Sequence, residues 1–227
     1  MNILVLGKGK TGALAAEIAQ ERGHRARAIG SADNVRGAAL TRNALTGIDV
    51  VIDFSTPQTV LENIANCVRA GGTMVVGTTG WYDRIPQVRQ LVENSGTGLV
   101  FGANFSVGVN IFFEIAKAVA PALNLGYTGR VIERHHVTKK DKPSGTAVAI
   151  DNVLKAGSGK SLEIESVREG NIVGEHEIRI ESENDVIDLA HSAKNRRGFA
   201  EGAVRAAEWI KGRNGFYDFK DVWRELK

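Results

Sequence analysis

The first dozen residues constrain the fold of this 227-residue chain more than any other stretch. The apolar run 2–6 predicts a buried strand, and a helical pattern over 13–22 begins a few residues later. Between them, three glycines at G-x-G-x-x-G spacing allow a tight turn, close approach of a phosphate and close packing of the helix on the strand. The helix start adds free N–H groups and the positive end of the helix dipole. The alternative is a glycine-rich turn without a ligand. The context favours a pyrophosphate site of a dinucleotide at Gly7, Lys8, Gly9, Lys10, Thr11 and Gly12.

The first half of the chain repeats the strand–helix–strand pattern, which is typical of a parallel sheet covered on both faces. Right-handed crossovers then give a Rossmann-like, doubly wound domain. The second half predicts a smaller α+β domain with a mixed sheet, because its later strands follow one another with short turns. A strong helical pattern over 198–211 predicts a return to the first domain. We therefore expect a dinucleotide-binding domain from 1–105 together with 198–227, and a substrate-binding and oligomerisation domain at 106–197. The predicted strands are 2–6, 24–29, 49–54, 73–77, 99–101, 129–137, 162–168, 175–181 and 185–191, and the predicted helices are 13–22, 59–70, 85–94, 109–122, 146–155 and 198–211.

Small and polar residues follow three predicted strands of the first domain, where ligands bind in doubly wound folds. The segments are 53–57, 77–80 and 102–106. Each could be an ordinary βα turn, in which Gly, Ser and Thr serve as caps. Because all three lie at one edge of the sheet, we expect cofactor contacts there, with hydrogen bonds from Thr78, Thr79 and Asn104. The predicted contacts are Gly77, Thr78, Thr79, Gly102, Ala103, Asn104 and Phe105.

The second predicted strand ends without the acidic residue that commonly binds the ribose hydroxyls. It runs into Gly30 and Ser31, and the first acid is Asp33. A serine does not repel a 2′-phosphate, and Lys10, Arg27 and Arg36 are candidates to bind one. We therefore expect NADPH to be accepted at least as well as NADH.

A second unusual stretch spans 134–146 and places two histidines and several lysines between a strand and a helix. Histidine suits proton transfer near neutral pH, and Lys139 supplies positive charge for a dianionic substrate. Ser144, Gly145 and Thr146 open a helix after a proline, so their amides can bind a carboxylate. Adjacent strand residues point to opposite faces, so one of His135 and His136 could be only packed or solvated. The same divergence argues against a metal site. The remaining histidines are interpreted as surface or satisfied strand residues; they are His24, His176 and His191.

Composition argues against other classes of protein. Charged residues make up 24%, the net charge is +3, and no basic stretch is interleaved with aromatics, so nucleic acid is not an expected partner. No signal peptide is recognisable, and no apolar run approaches the roughly 20 residues that span a bilayer. The single cysteine, Cys67, lies in an apolar pattern, which predicts a buried, inert thiol and fits a cytoplasmic protein.

The motifs together resemble one family. Glu133 to His136, Lys139, Asp141 and the Pro-Ser-Gly-Thr-Ala run from Pro143 resemble the signature of 4-hydroxy-tetrahydrodipicolinate (dihydrodipicolinate) reductases. Segments 77–80, 103–110, 168–170 and 174–176 match the same family in order. The resemblance implies reduction of 4-hydroxy-tetrahydrodipicolinate by NADPH or NADH in lysine (diaminopimelate) biosynthesis, in a homotetramer.

The same resemblance implies roles for single residues. His135 would donate a proton to the ring carbon beside the one that receives hydride, and Lys139 would stabilise charge and bind a carboxylate. Residues 77–79 and 102–105 would line the nicotinamide half of the cofactor. The implied substrate contacts are His136, Ser144, Gly145 and Thr146. The sequence departs from the family pattern in two places. The glycine loop is one residue shorter than the common form, and the linker after the second strand is short. Both departures affect only the expected cofactor preference.

Two other interpretations remain open at the level of sequence. A different two-domain NAD(P)-dependent dehydrogenase would usually carry a catalytic cysteine or a metal-ligand set, and neither pattern is present. A non-catalytic dinucleotide sensor could use the same glycine turn, but His135 and Lys139 beside an anion site argue for catalysis.

Overall fold

A six-stranded parallel sheet organises the first of two units into which the chain divides. In this computed structural model, which describes residues 1–227, unit 1 comprises Met1–Ser106 and Arg197–Lys227, and unit 2 comprises Val107–Arg196. The elements in chain order are β1 (Asn2–Leu6), α1 (Lys10–Glu21), β2 (Arg25–Ile29), β3 (Val50–Asp53), α2 (Val60–Arg69), β4 (Met74–Val76), α3 (Ile85–Ser95), β5 (Gly98–Phe101), α4 (Val107–Val119), β6 (Thr128–His135), α5 (Gly145–Ser158), β7 (Glu163–Arg168), β8 (Glu175–Glu181), β9 (Val186–Ser192), α6 (Arg197–Ile210), β10 (Gly215–Asp218) and α7 (Phe219–Val222).

The sheet of unit 1 has the strand order β10-β5-β4-β3-β1-β2, and every pairing is parallel. Its central strands are apolar apart from their ends, because helices cover both faces. Helices α1 and α6 pack on one face and α2 and α3 on the other. Parallel pairing brings the carboxyl ends of β1, β3, β4 and β5 to one edge, which is where ligands bind in such sheets.

Unit 2 contains a four-stranded mixed sheet in the order β7-β6-β8-β9. Strand β7 is parallel to β6, whereas β8 is antiparallel to both β6 and β9. One face packs against α4 and α5 through an apolar cluster that includes Phe112, Ile150 and Ile178. The other face carries charged side chains in cross-strand ion pairs, which are Arg130–Glu165, Arg134–Glu177 and Arg179–Asp188.

The predicted fold class, a Rossmann-like parallel-sheet domain with a smaller mixed-sheet domain, is confirmed. The predicted helices and strands are present, with ends shifted by up to three residues. The sequence analysis missed β10 and α7, which follow α6 near the chain end. Cys67 is fully buried without a disulfide partner, and burial raises the pKa of its thiol, as an inert cysteine requires.

One segment is more apolar than the sequence analysis allowed. Residues Val107–Asn124, which comprise α4 and the 3₁₀ turn after it, have the length and hydropathy of a membrane-spanning helix. The expectation that no run approaches that length was therefore wrong. The segment nevertheless packs into the core of unit 2 through Phe112, Ala116 and Leu123, and its outer surface carries the Glu114–Lys117 ion pair. This packing is what a core helix of an α/β unit requires.

Candidate active site

The glycine turn of unit 1 has the geometry that a phosphate site requires. Gly7 has a φ of +105°, and a Cβ there would lie 2.2 Å from the carbonyl oxygen of Phe54. A Cβ on Gly12 would lie 2.0 Å from the carbonyl oxygen of Gly7. In contrast, a Cβ on Gly9 would meet nothing within 4 Å. The first and third glycines therefore close the turn, and the second leaves space above it.

Helix α1 starts at this turn with Gly9 as its N-cap and without a capping hydrogen bond from any side chain. The N–H groups of its first turn therefore have no side-chain acceptor and lie at the positive end of the helix dipole. Lys8 and Lys10 beside them are exposed and add positive charge. These residues fit the pyrophosphate of a dinucleotide.

An acidic side chain does reach the end of β2. The Asp33 carboxylate accepts a hydrogen bond from the Gly30 N–H at 3.0 Å and pairs with the Lys8 ammonium at 3.1 Å. The Gly30 N–H and the Lys8 ammonium hold the pKa of Asp33 below its ordinary value. The strand end thus combines one carboxylate with one ammonium. Arg27, a candidate for the 2′-phosphate, lines a cavity with Asn2 and Ile48, and its charge also acts to lower the pKa of Asp33.

The ends of β3 and β4 are joined by a buried carboxylate. Asp53 accepts hydrogen bonds from the hydroxyls of Ser55 at 2.6 Å and Thr78 at 2.7 Å, and from the Asn63 amide at 2.9 Å. The Thr78 hydroxyl therefore has a partner within the protein, and the contact of Thr78 with the cofactor stays a prediction. Thr79 is exposed and remains a candidate contact.

The turn after β5 serves packing as well. Phe105 is 2% exposed and its ring lies 4.5 Å from that of Phe219. The Asn104 side chain accepts a hydrogen bond from the Ser106 N–H at 2.9 Å. Ala103 is exposed and Gly102 is buried. Ala103 and Asn104, rather than the Phe105 ring, are thus what this turn presents at its surface.

In unit 2, His135 ends β6 within a buried charged network. Its Nδ1 is hydrogen-bonded to the carboxylate of Glu133, which is fully buried. Arg168 on β7 binds both carboxylate oxygens, at 2.8 and 2.9 Å. The Ser144 N–H also points at Glu133, at 3.3 Å. A buried carboxylate is tolerated here because its lone pairs are satisfied.

Opposing effects set the pKa values of this network. Burial acts to raise the pKa of Glu133, but hydrogen bonds from Arg168, Ser166 and His135 outweigh it and hold that pKa below its ordinary value. Burial lowers the pKa of His135, although Glu133 acts in the opposite direction. The charges of Lys139 and Arg168 lower it further. Glu133 is therefore a carboxylate and an acceptor, so Nδ1 of His135 carries the proton.

His176 on β8 lies beside His135, with ring centroids 5.3 Å apart. It is 5% exposed, and its Nε2 is 3.2 Å from the Ser144 hydroxyl, which also caps α5 by accepting from the Ala147 N–H. Burial, together with the charge of His135, lowers the pKa of His176 to about 4. The interpretation of His176 as a surface or satisfied strand histidine was wrong, since its Nδ1 is buried without a partner.

The other predicted substrate contacts lie around this network. Lys139 pairs with Asp141 at 2.8 Å, and the Lys139 side chain keeps 23% exposure. His136 is half-buried, and its ring bonds to Thr138 at 2.8 Å and Arg196 at 3.3 Å. Gly145 is exposed at the start of α5, followed by the half-buried Thr146. Ser144, at 2% exposure, caps the helix with its side chain and donates its N–H to Glu133, so a contact of Ser144 with the substrate stays a prediction.

Sequence reasoning gave no role to Glu133 or Arg168. A signal for Glu133 was present, because residues two apart on a strand share a face, and Glu133 precedes His135 by two. Arg168 is opposite His135 in the parallel β6–β7 register, which no local pattern reveals.

The lowered pKa of His176 predicts acid-sensitive stability. Folded His176 stays neutral down to about pH 4, whereas unfolded His176 takes up a proton near pH 6.5. The unfolding free energy should therefore fall as the pH drops through this window, by at most roughly 3 kcal/mol from this residue. Urea unfolding of wild type and His176→Gln across pH 4–7 measures this contribution. A difference between the two that does not change with pH would contradict it.

Comparison with known proteins supports one family. The family model for the N-terminus of dihydrodipicolinate reductase matches residues 1–105, and the model for its C-terminus matches residues 108–223. The chain belongs to the dihydrodipicolinate reductase family. The family predicted from the sequence motifs is thereby confirmed.

Relatives and solved structures agree with membership of the dihydrodipicolinate reductase family. A 4-hydroxy-tetrahydrodipicolinate reductase of Christiangramia forsetii is 35% identical, covering 100% of this chain and 99% of the relative. One from Neisseria meningitidis serogroup A is 38% identical over 77% of this chain and 72% of its own. The fold is shared with a dipicolinate-bound dihydrodipicolinate reductase of Paenisporosarcina sp. TG-14, with a TM-score of 0.78 at 20% identity, covering 98% and 99% of the two chains. An aspartate dehydrogenase of Thermotoga maritima shares the fold more distantly, with a TM-score of 0.53 at 12% identity over 94% of this chain and 97% of its own.

Proposed function

We propose that this chain is an NAD(P)H-dependent oxidoreductase that reduces 4-hydroxy-tetrahydrodipicolinate to tetrahydrodipicolinate in the diaminopimelate route to lysine. The net reaction consumes one hydride and one proton, and the 4-hydroxyl leaves as water. When bound, the reduced nicotinamide supplies the hydride. Unit 1 is the dinucleotide-binding domain and unit 2 the substrate-binding and oligomerisation domain.

One observation carries this proposal. This chain, a member of the family, has a buried and hydrogen-bonded His135. Lys139 lies close enough for its charge to lower the pKa of the imidazole. His135 donates a proton to the ring carbon next to the one that receives hydride. Lys139 and the amides of Gly145 and Thr146 bind a carboxylate, as an ammonium and a helix start can. His136, half-buried on the same loop, orients the substrate. Together these groups position a small dicarboxylate and supply charge and a proton.

The direct test is oxidation of NADPH or NADH at 340 nm with the product of the preceding synthase as substrate. We expect turnover with both cofactors. Tight dinucleotide binding without turnover would contradict the proposal and favour a dinucleotide sensor.

We further propose that NADPH and NADH are both used, with less than about a hundredfold preference for NADH. Asp33 can accept hydrogen bonds from the ribose hydroxyls of NADH, while Lys8 beside it can bind a 2′-phosphate. Asp33→Asn should therefore lower kcat/KM with NADH about tenfold and leave that with NADPH nearly unchanged. Asp83→Asn, at an exposed carboxylate elsewhere in unit 1, is the matched control. Equal effects on both cofactors would argue against Asp33 as a ribose ligand.

Dipicolinate, a planar dianion, should inhibit competitively with the substrate. Lys139→Ala should raise its inhibition constant at least about tenfold, because an ammonium–carboxylate contact is lost. Lys140→Ala, at the exposed neighbouring lysine, should leave the constant unchanged. An unaltered constant in Lys139→Ala would remove Lys139 from the carboxylate site.

The assembly we propose is a cytoplasmic homotetramer joined through the mixed sheets of unit 2. The face of that sheet opposite α4 and α5 carries both signs of charge, which can pair between two copies related by a twofold axis. Light scattering should give about four times the 24.4 kDa chain mass. A monomer at micromolar concentration would contradict this assembly.

A further inference from the structure

We propose that Glu133, held by Arg168, fixes the tautomer of His135 and thereby selects Nε2 as the proton-donating atom. Glu133 and Arg168 are then positioning residues, since they act through His135. The inference rests on the proposed role of His135 as proton donor.

The geometry of Glu133 leaves one hydrogen-bonding arrangement. One carboxylate oxygen, Oε2, accepts from Nδ1 of His135 and from Arg168 at 2.9 Å. The other, Oε1, accepts from Arg168 at 2.8 Å and from the Ser144 N–H at 3.3 Å. A carboxylate without its own proton only accepts, so Nδ1 of His135 must be the N–H side of the ring. The remaining nitrogen, Nε2, is the one that can exchange a proton with a substrate.

Arg168 has a separate task in this arrangement. Without a cation beside it, Glu133 could take the proton of the imidazolium rather than orient it. The two charged hydrogen bonds from Arg168 stabilise the carboxylate form. When imidazolium gives its Nε2 proton to a carbon of the substrate, the product is the neutral Nδ1–H tautomer. That tautomer needs no further proton shift, and Nε2 regains its proton from solvent.

Gly174, which immediately precedes β8, leaves room for the Nε2 edge of the ring. A Cβ on Gly174 would lie 3.0 Å from Nε2 of His135. The Gly174 backbone does not have a positive φ, so conformational freedom is not the reason for a glycine here. The space that Gly174 leaves is therefore next to Nε2, the nitrogen that is not bonded to Glu133.

Charged and titratable groups face His135 from four directions. Glu133 lies on its own strand, Arg168 on β7, Lys139 with Asp141 on the following loop, and His176 on β8. Of these, Glu133 raises the pKa of His135, whereas Arg168 and Lys139 lower it. Removing Glu133 or Arg168 should therefore move the pKa in opposite directions. A general loss of structure would not shift the His135 pKa in opposite directions in the two variants.

The decisive experiment is nitrogen-15 NMR of histidine side chains in the full chain without substrate, with His135→Gln used to assign the signals. We expect the Nδ1–H tautomer in wild type. Glu133→Gln should change the tautomer ratio at least about tenfold toward Nε2–H, because the amide NH2 can donate to Nδ1, and should lower the pKa, because the negative charge is lost. Arg168→Gln should raise the pKa. Unchanged tautomer and pKa in Glu133→Gln would overturn the inference.

Kinetics supplies a second readout. Glu133→Gln should lower kcat about tenfold while KM changes little, since the substrate contacts stay in place. The alkaline limb of its kcat–pH profile should move to lower pH, and that of Arg168→Gln to higher pH. Glu93→Gln, at an exposed carboxylate on α3 of unit 1, should match wild type. Limbs that do not move would overturn the inference.

The outcomes separate this inference from the proposed function. Tautomer shifts without turnover in wild type would refute the reductase and leave the positioning role intact. Turnover in wild type, with no tautomer shift in Glu133→Gln, would support the reductase and refute the positioning role. If Glu133→Gln does not fold, Gly174→Ala provides a second test. Its methyl group should displace the His135 ring and lower kcat without changing the tautomer. A kcat equal to that of wild type would count against the inference.

Discussion

Replacing His135 with glutamine should lower turnover by at least about a hundredfold, the usual cost of losing a general acid. Glutamine has a similar reach and can still contact Glu133, so the buried network keeps a polar partner. It has no proton to donate in the relevant pH range. KM for the substrate should change much less than kcat, because the carboxylate contacts lie on other residues.

The matched control for this change is His24→Gln in unit 1, where the imidazole is bonded to Glu208 at 2.7 Å. That variant should retain nearly wild-type turnover. Dinucleotide affinity, measured by fluorescence titration, should be unchanged in both variants. Near-normal turnover of His135→Gln would remove this residue as the proton donor and would reopen the choice between a reductase and a sensor.

The sequence predicted unit 1 well because its elements are locally encoded. Each central strand is a short apolar run, and each helix has an apolar stripe, so periodicity identifies both. Strand β10 escaped prediction because its four residues carry no periodic pattern of useful length. It exists through pairing with β5, so that Phe216 is beside Leu99. Such a pairing depends on where a distant segment lies.

The candidate site was predictable to the extent that its chemistry lies in contiguous residues. The run from His135 to Thr146 carries its own signal of charge, imidazole and helix start. The register of β6 with β7 and β8 added what that run lacks, since it places Arg168 beside His135 and His176 beside Glu133. A shift of one residue would send these side chains to the opposite face.

Turn residues carry a weaker signal. Thr78 and Phe105 stand where a cofactor contact is predicted, and both also have partners within the protein, since Thr78 binds the buried Asp53 and Phe105 packs on Phe219. Polar and aromatic residues at a strand end serve either a ligand or the protein itself. Sequence type cannot distinguish these uses, because burial and hydrogen-bond partners decide between them.

Gly9 provides the strongest test of dinucleotide binding by unit 1. Gly9→Ala should weaken binding of NADPH and NADH at least about a hundredfold, because its methyl group would occupy the space that a pyrophosphate needs above the turn. The protein itself should tolerate the change. Gly9 has φ −69° and ψ 177°, which alanine adopts readily, and its Cβ would meet no atom within 4 Å. Thermal stability should therefore equal that of wild type.

Two other glycines show why this combination of results is informative. Gly12→Ala should lose both binding and stability, because its Cβ would lie 2.0 Å from the Gly7 carbonyl oxygen. Gly145→Ala, also at an unobstructed position but in unit 2, should leave dinucleotide affinity unchanged. Calorimetry of all three variants with NADPH separates a blocked ligand from a damaged turn. If Gly9→Ala bound NADPH as wild type does, the pyrophosphate would have to lie elsewhere, and the glycine turn would be a structural feature only.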